Sequence, residues 1–244
     1  MHLLLFDIDG TLIRGEGTGG LALRRSFEEL FGVEAAENPR LRGIPFNGRS
    51  DAAIIGDFAR ALEVHDAFAV RQAEFTQVFL RHLEITVAES TTKCLCAGVG
   101  ELLERLHADD RVALGLLTGN MEPGARIKLA AFDLNRYFPF GGFGMDGPDR
   151  ARMAARARER GEAHHDRAFP PGRTVVVGDT IHDVSAGRVH GFLTAAVTTG
   201  GVSRRDFERA RADAIFDDLT ESGGFPAWLE ERLGGRPVPP PVRA

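Results

Sequence analysis

The sequence predicts an α/β protein: a Rossmann-like parallel sheet flanked by helices, with a helical segment inserted after the first strand. Short, nearly continuous apolar runs recur at residues 3–6, 112–117, 174–177 and 192–197, as expected of strands buried on both faces. Stretches with helical periodicity separate them. Between the first run and Gly98-Val99-Gly100, about 85 residues carry helices and loops without a convincing strand, far more than one crossover helix requires.

Taken in order, residues 3–6 form the first strand and deliver the chain to Asp7. Helices are predicted at 20–31 and 51–62 within the insertion, then at 99–106, 123–132, 150–160, 183–190 and 204–211. Residues 138–143 and 214–216 are weaker strand candidates, the first interrupted by Pro139 and paired glycines. These elements divide the chain into an α/β core of residues 1–14 and 89–235 and a helical cap of residues 15–88. Residues 236–244, which include the proline-rich PVPPPVRA, are expected to form a frayed tail.

Hydrophobic residues at 43% and charged residues at 27% exclude a disordered, collagen-like or membrane-spanning chain. A net charge of -5 argues against nucleic acid or an anionic membrane as partner, since both need a positive field. A phosphate-bearing partner must therefore be met locally, at one site. Cys94 and Cys96 cannot build a disulfide framework and are read as small packing residues. With no signal-peptide pattern and no apolar run near twenty residues, a cytoplasmic location is expected.

Chemistry concentrates at the strand ends. Asp7-Ile8-Asp9-Gly10-Thr11 follows the first strand directly, and two carboxylates leaving a buried strand are costly unless a cation or a reacting group needs them. Asp179 and Asp183 follow the strand at 174–177 in Gly178-Asp179-Thr180-Ile181-His182-Asp183. The strand at 112–117 runs into Thr118-Gly119-Asn120, which offers a hydroxyl instead of a charge. In one parallel sheet these ends converge, and so many acids point to a metal ion.

These residues resemble the haloacid dehalogenase-like hydrolases, particularly the phosphoglycolate phosphatase-like branch with a helical cap after the first strand. The resemblance covers residues 1–14 and about 90–220 and rests on the ordered set DxDGT, Thr-Gly-Asn and GDTIHD. It implies that Asp7 is a nucleophile forming an aspartyl-phosphate and that Asp9 is a general acid/base. Thr118, with Gly119 and Asn120, would bind phosphate, while Asp179 and Asp183 would hold Mg²⁺. A basic residue is also implied about thirty residues after the threonine, before a helix; Arg150 matches best, and Lys128 is its rival.

The residues support that chemistry independently. A phosphorus centre bearing two negative charges repels an anionic nucleophile, so Mg²⁺ held by Asp7, the Asp9 carbonyl and Asp179 would bridge the two. Asp9, turned away from the metal, could protonate the leaving alcohol and then deprotonate water. In the insertion, Gly48-Arg49-Ser50-Asp51 opens a helix; Ser50 suits its N-cap, and Arg49 is read as reaching the substrate's far end. His182 is read either as a hydrogen-bond donor at the site or as a helix filler. His164-His165-Asp166 is read as a solvated loop, lacking a spaced third metal ligand.

The expected function is Mg²⁺-dependent hydrolysis of a small phosphorylated metabolite, phosphoglycolate or a sugar phosphate. The alternative is a phosphomutase on the same core. A dehalogenase needs neither the metal nor an acid at Asp9, and a phosphate-ligand sensor needs no apposed nucleophile and acid.

Overall fold

Leu3, Leu4, Leu5 and Phe6 are completely buried because their strand, β1 (His2–Phe6), runs through the middle of a six-stranded sheet. The order across the sheet is β5 (Gly141–Gly142), β4 (Val112–Leu117), β1, β6 (Thr174–Gly178), β7 (Leu193–Val197) and β8 (Ala214–Phe216), with every pairing parallel. The computed structural model describes residues 1–15, 17–147 and 149–234. The tail expected at 236–244 lies outside these described residues.

Side chains alternate across the sheet, and both faces are covered. Leu4 and Phe6 share a core with α5 (Val99–His107) and α10 (Phe225–Leu233), through Leu102, Leu106, Phe225 and Leu229. Leu3 and Leu5 pack on the other side against Met153, Ala154 and Ala157 of α7 (Arg150–His165). This two-sided burial is the physical reason the strands read as unbroken apolar runs.

The inserted residues leave and rejoin through a short antiparallel ribbon of β2 (Ile13–Arg14) and β3 (Cys94–Leu95). Between these strands lie α1 (Thr18–Phe31), α2 (Asp51–Ala61), α3 (His65–Val70) and α4 (Gln72–Glu89). They enclose a core of their own around Phe27, Phe58, Phe75, Phe79 and Leu83, in which the Phe27 and Phe75 rings sit 4.6 Å apart. The sequence reading located α1 and α2 but not α3 or α4. The clue to α4 was its buried Phe75, Phe79, Leu83 and Val87, spaced four apart as one helical face requires.

Three local expectations are corrected. Helix α7 continues to His165, so His164 and His165 occupy its last turn instead of a loop; the His165 ring stands edge-on to Phe140 and Phe169, an apolar attachment that outweighs the polar local composition. Cys96 is buried, but Cys94 is exposed on the two-residue ribbon and does not pack. Of residues 138–143 only Gly141–Gly142 joins the sheet, because Pro139 has no N–H to donate. The weak candidate at Ala214–Phe216 does form the edge strand β8. Among the described residues, no helix is long and apolar enough to cross a membrane.

Phe27 touches four other phenylalanine rings, so Phe27→Ala should leave a cavity in the helical layer and cost about 3–5 kcal/mol. Urea denaturation checks this as a lowered midpoint; a midpoint equal to that of the unaltered protein would show that the layer collapses around the gap.

Candidate active site

Strand register assembles the site. Phe6 pairs with both Leu116 and Val177, so Asp7, Thr118 and Asp179 leave the same end of three adjacent strands. The Asp7 N–H donates to the Val177 carbonyl at 2.9 Å. Gly10, at φ +83°, then turns the chain back with a conformation that side chains disfavour.

Asp7, Asp179 and Asp183 are buried, and each offers one carboxylate oxygen within 4.8 Å of the others. Arg150 lies among them. Its Nη2 is 2.7 Å from Asp7 Oδ2, its Nε donates to Asp183 Oδ1 at 2.6 Å, and Nη2 also donates to the Leu117 carbonyl at 3.1 Å. The other Asp7 oxygen accepts the Ile8 N–H at 2.8 Å. Asp183 Oδ2 accepts the Thr180 hydroxyl at 2.6 Å and amide at 3.1 Å, closing a capping box at the start of α8 (Ile181–Val189). Thr11 Oγ1 donates to Asp179 Oδ1 at 3.0 Å. A Cβ on Gly10 or on Gly200 would overlap the Asp179 carboxylate, so two glycines leave the cradle in which it sits.

Burial pushes Asp7 up to about 7 despite Arg150, with the neighbouring Asp183 and Asp9 charges adding to the rise. Burial pushes Asp179 up to about 8, helped by Asp7 and Asp183. One guanidinium thus leaves the cluster short of positive charge. A close set of hard oxygen donors with that deficit fits a divalent cation of the Mg²⁺ type.

Asp9 belongs to a second cluster. Lys128 Nζ, on α6 (Glu122–Ala130), donates to both Asp9 oxygens at 2.8 and 2.7 Å and to Asn120 Oδ1 at 2.7 Å. Asn120 Nδ2 donates to Asp9 Oδ2 and to Thr118 Oγ1, each at 2.8 Å. Enclosure raises the proton affinity of Asp9, but its side chain is 53% exposed; Lys128 and the Asn120 hydrogen bond dominate and hold it below the usual carboxylate range. Both basic candidates therefore reach the strand ends, on different acids: Arg150 on Asp7 and Asp183, Lys128 on Asp9.

The loop before α2 docks on these strand ends. Ser50 caps α2, accepting the Ala53 N–H at 3.3 Å. The Asp51 N–H donates to the Gly119 carbonyl at 2.8 Å, and Asp51 Oδ2 accepts the Met121 N–H at 2.8 Å. Burial pushes the Asp51 carboxyl up to about 6. A Cβ on Gly119 would overlap the Arg49 carbonyl, and one on Gly48 would overlap the His182 ring. His182 thus packs on the loop backbone. Arg49 lines the cavity, but its guanidinium pairs with Asp57 at 2.6 Å.

The two acid clusters, Thr118 and this loop enclose one cavity of about 650 Å³. Thr11, Asp51 and Gly200 are the site residues that sequence reasoning missed. Thr11 closes the DxDGT string, and its hydroxyl was the available signal; Asp51 reads locally as an ordinary first-turn acid, and Gly200 carries no local sign at all.

A family model described as haloacid dehalogenase-like hydrolase matches residues 1–191. The chain belongs to that family. No curated protein is matched by its sequence. Among solved structures, this haloacid dehalogenase-like hydrolase is similar to CbbY from Rhodobacter sphaeroides in complex with phosphate, at 22% identity and TM-score 0.68, over 91% of this chain and 97% of that one. It also resembles a protein from Haemophilus somnus described as a predicted phosphoglycolate phosphatase, at 22% identity and TM-score 0.61 over 91% and 96% of the two chains. A third, from Thermotoga maritima and assigned as a beta-phosphoglucomutase, aligns at 24% identity and TM-score 0.62 over 95% and 99%. At these identities the three share the hydrolase's fold.

The raised values at Asp7 and Asp179 set a pH dependence. In the metal-free fold both acids hold protons that the unfolded chain has already released, so their contribution to stability should fall as pH rises from about 4 to about 8 and level off above. A divalent cation held by these acids would compete with those protons, so stabilisation by Mg²⁺ should grow over the same interval. At a hundred times its dissociation constant it contributes about 2.7 kcal/mol, roughly 5–10 °C in Tm. Thermal melts in EDTA and in Mg²⁺ across this range check it; parallel curves would remove the acids from cation binding.

Proposed function

We propose that this hydrolase is a Mg²⁺-dependent phosphatase acting on a small phosphomonoester through a phospho-Asp7 intermediate. The observation that carries the reading is the split of the acids: Asp7 stands in a cluster short of positive charge, while Asp9, two residues on, faces the same cavity under the control of Lys128.

Asp7, Asp179, Asp183 and the Asp9 carbonyl would hold Mg²⁺, which when bound polarises and neutralises phosphoryl oxygens. Asp7 attacks phosphorus, forming a carboxylate–phosphorus bond as the bond to the leaving oxygen breaks. The Thr118 hydroxyl, which accepts from Asn120, keeps its own proton to donate to a transferring oxygen. Arg150 holds the Asp7 carboxylate in line and limits the charge that builds beside it. Asp9 gives a proton to the leaving alcohol; Lys128 favours its ionised form, and the incoming phosphate dianion shifts it back toward the acid. In the second half, Asp9 takes a proton from the water that attacks phosphorus, and Asp7 is regenerated. Closure of the helical cap, latched where Asp51 meets Gly119 and Met121, would exclude water during the first transfer. The family, the phosphate-bound CbbY structure and the neighbour described as a predicted phosphoglycolate phosphatase support this reading.

Phosphate release from a panel of small phosphomonoesters, with Mg²⁺ and with EDTA, tests it. Release should require Mg²⁺, and no release from any ester would sink the reading; conversion of a sugar phosphate to its isomer without release would identify a mutase. Asp7→Asn should fold normally by circular dichroism while losing roughly 10³-fold or more in kcat, and a loss under tenfold would remove Asp7 as nucleophile. Asp9→Asn should lose more on esters of poorly acidic alcohols than on aryl esters. A loss independent of the leaving group would move Asp9 out of proton transfer.

A further inference from the structure

The cavity is far larger than a phosphoryl group needs, and its far wall is apolar, with Leu23, Ile54, Ile55 and Phe79 among the lining residues. Three arginines other than Arg150 also line it: Arg14, Arg24 and Arg49. Arg49 is already neutralised, its Nη2 lying 2.6 Å from Asp57 and its Nη1 donating to the Pro45 carbonyl at 3.2 Å. Arg14 is exposed on the ribbon and donates to the Thr199 carbonyl at 2.6 Å. Arg24 differs from both. It is partly buried on α1 and has no carboxylate partner among the described residues. Its only hydrogen bond there is a long one, 3.4 Å from Nη1 to the Gly20 carbonyl, and its guanidinium carbon lies 5.7 Å from the Phe58 ring centre. Gly20 keeps the space beside it open: a Cβ there would stand 3.4 Å from Arg24 Nη1 and 3.5 Å from the Phe46 ring.

A guanidinium drawn partly out of water against apolar walls, without a counter-ion, carries an uncompensated desolvation cost. An anion in the cavity removes that cost, and the planar fork suits either a carboxylate or a phosphate. The anion cannot rest beside the strand ends away from the transferring phosphoryl group, because Asp7, Asp9, Asp51 and Asp179 line that side and would repel it. We infer that the substrate carries a second anionic group at its non-reacting end and that Arg24 is the specificity-determining residue that binds it. This rests on the phosphatase reading and narrows its substrate class to phosphomonoesters with a distal anion. It also moves the recognition expected of Arg49, in the loop before α2, to a residue on α1.

The experiment measures kcat/KM for matched esters with and without the second anion: 2-phosphoglycolate against 2-hydroxyethyl phosphate for a carboxylate, and fructose 1,6-bisphosphate against fructose 6-phosphate for a phosphate. The unaltered enzyme should prefer the anionic member of one pair, and that pair identifies which anion Arg24 holds. In Arg24→Ala the preference should shrink by about 10- to 100-fold, the scale of a charge-assisted hydrogen bond, chiefly through KM. Arg24→Lys should restore part of it. An enzyme that releases phosphate but prefers neither anionic ester overturns this inference and leaves the phosphatase reading intact, and so does a preference that survives Arg24→Ala but collapses in Arg49→Ala. Failure to release phosphate from any ester overturns both together.

Discussion

Three buried carboxylates within 4.8 Å of one another cannot all be ionised without nearby positive charge, and the surroundings of the site follow from that constraint. Burial, with their mutual repulsion added, lifts Asp7 and Asp179 toward neutral pH. Arg150, itself buried, gives two of the three a partner. Thr11 and the Thr180 capping box supply hydrogen bonds that fix how Asp179 and Asp183 point. The glycines at 10 and 200 leave room for Asp179 where any side chain would displace it. Removing a partner from such a cluster leaves a buried charge unsatisfied, which costs far more than the pair contributes when intact.

The same constraint separates the two acids of the first loop. Asp7 continues the central strand and stays in the buried cluster, whereas Asp9, just before the turn at Gly10, meets Lys128 and Asn120 instead. Neighbouring carboxylates of one short motif thereby acquire opposite proton affinities, the pattern by which acid and base roles are divided in active sites. Lys128 lies ten residues beyond Thr118 in the sequence, yet α6 returns it to the strand end and to Asp9. A single amide, Asn120, links Lys128 and Asp9 to the Thr118 hydroxyl, so the phosphate-facing threonine and the proton-handling aspartate share one hydrogen-bonded unit.

The helical layer meets the strand ends through the loop before α2 and packs on α6 through α4, where Met121 and Ile127 join the apolar core of Phe79 and Leu83. Gly48 and Gly119 let the loop before α2 approach the strand ends more closely than side chains would permit, and Asp51 joins the two parts through one amide of each. The loop contact itself is polar, whereas the apolar attachment lies between α4 and α6. The hydrogen-bonded loop contact can open without unfolding either part, which suits a cavity that must admit and release a ligand.

By itself the sequence determined the class of fold, the order of the strands along the chain and the acids at their ends. Apolar runs with a period shorter than any helix, and carboxylates directly after them, are local features that survive without knowledge of neighbours. The ribbon at Ile13–Arg14 and Cys94–Leu95 was too short to show a period, and α4 was hidden by polar residues between its phenylalanines. Only the tertiary structure decided which basic residue serves which acid, because Arg150 and Lys128 lie far in sequence from the aspartates they contact. It also decided that Arg49 spends its charge on Asp57 while Arg24 has no such partner among the described residues. Pairing of charges depends on distance and burial in the folded chain, and residue type and spacing carry neither.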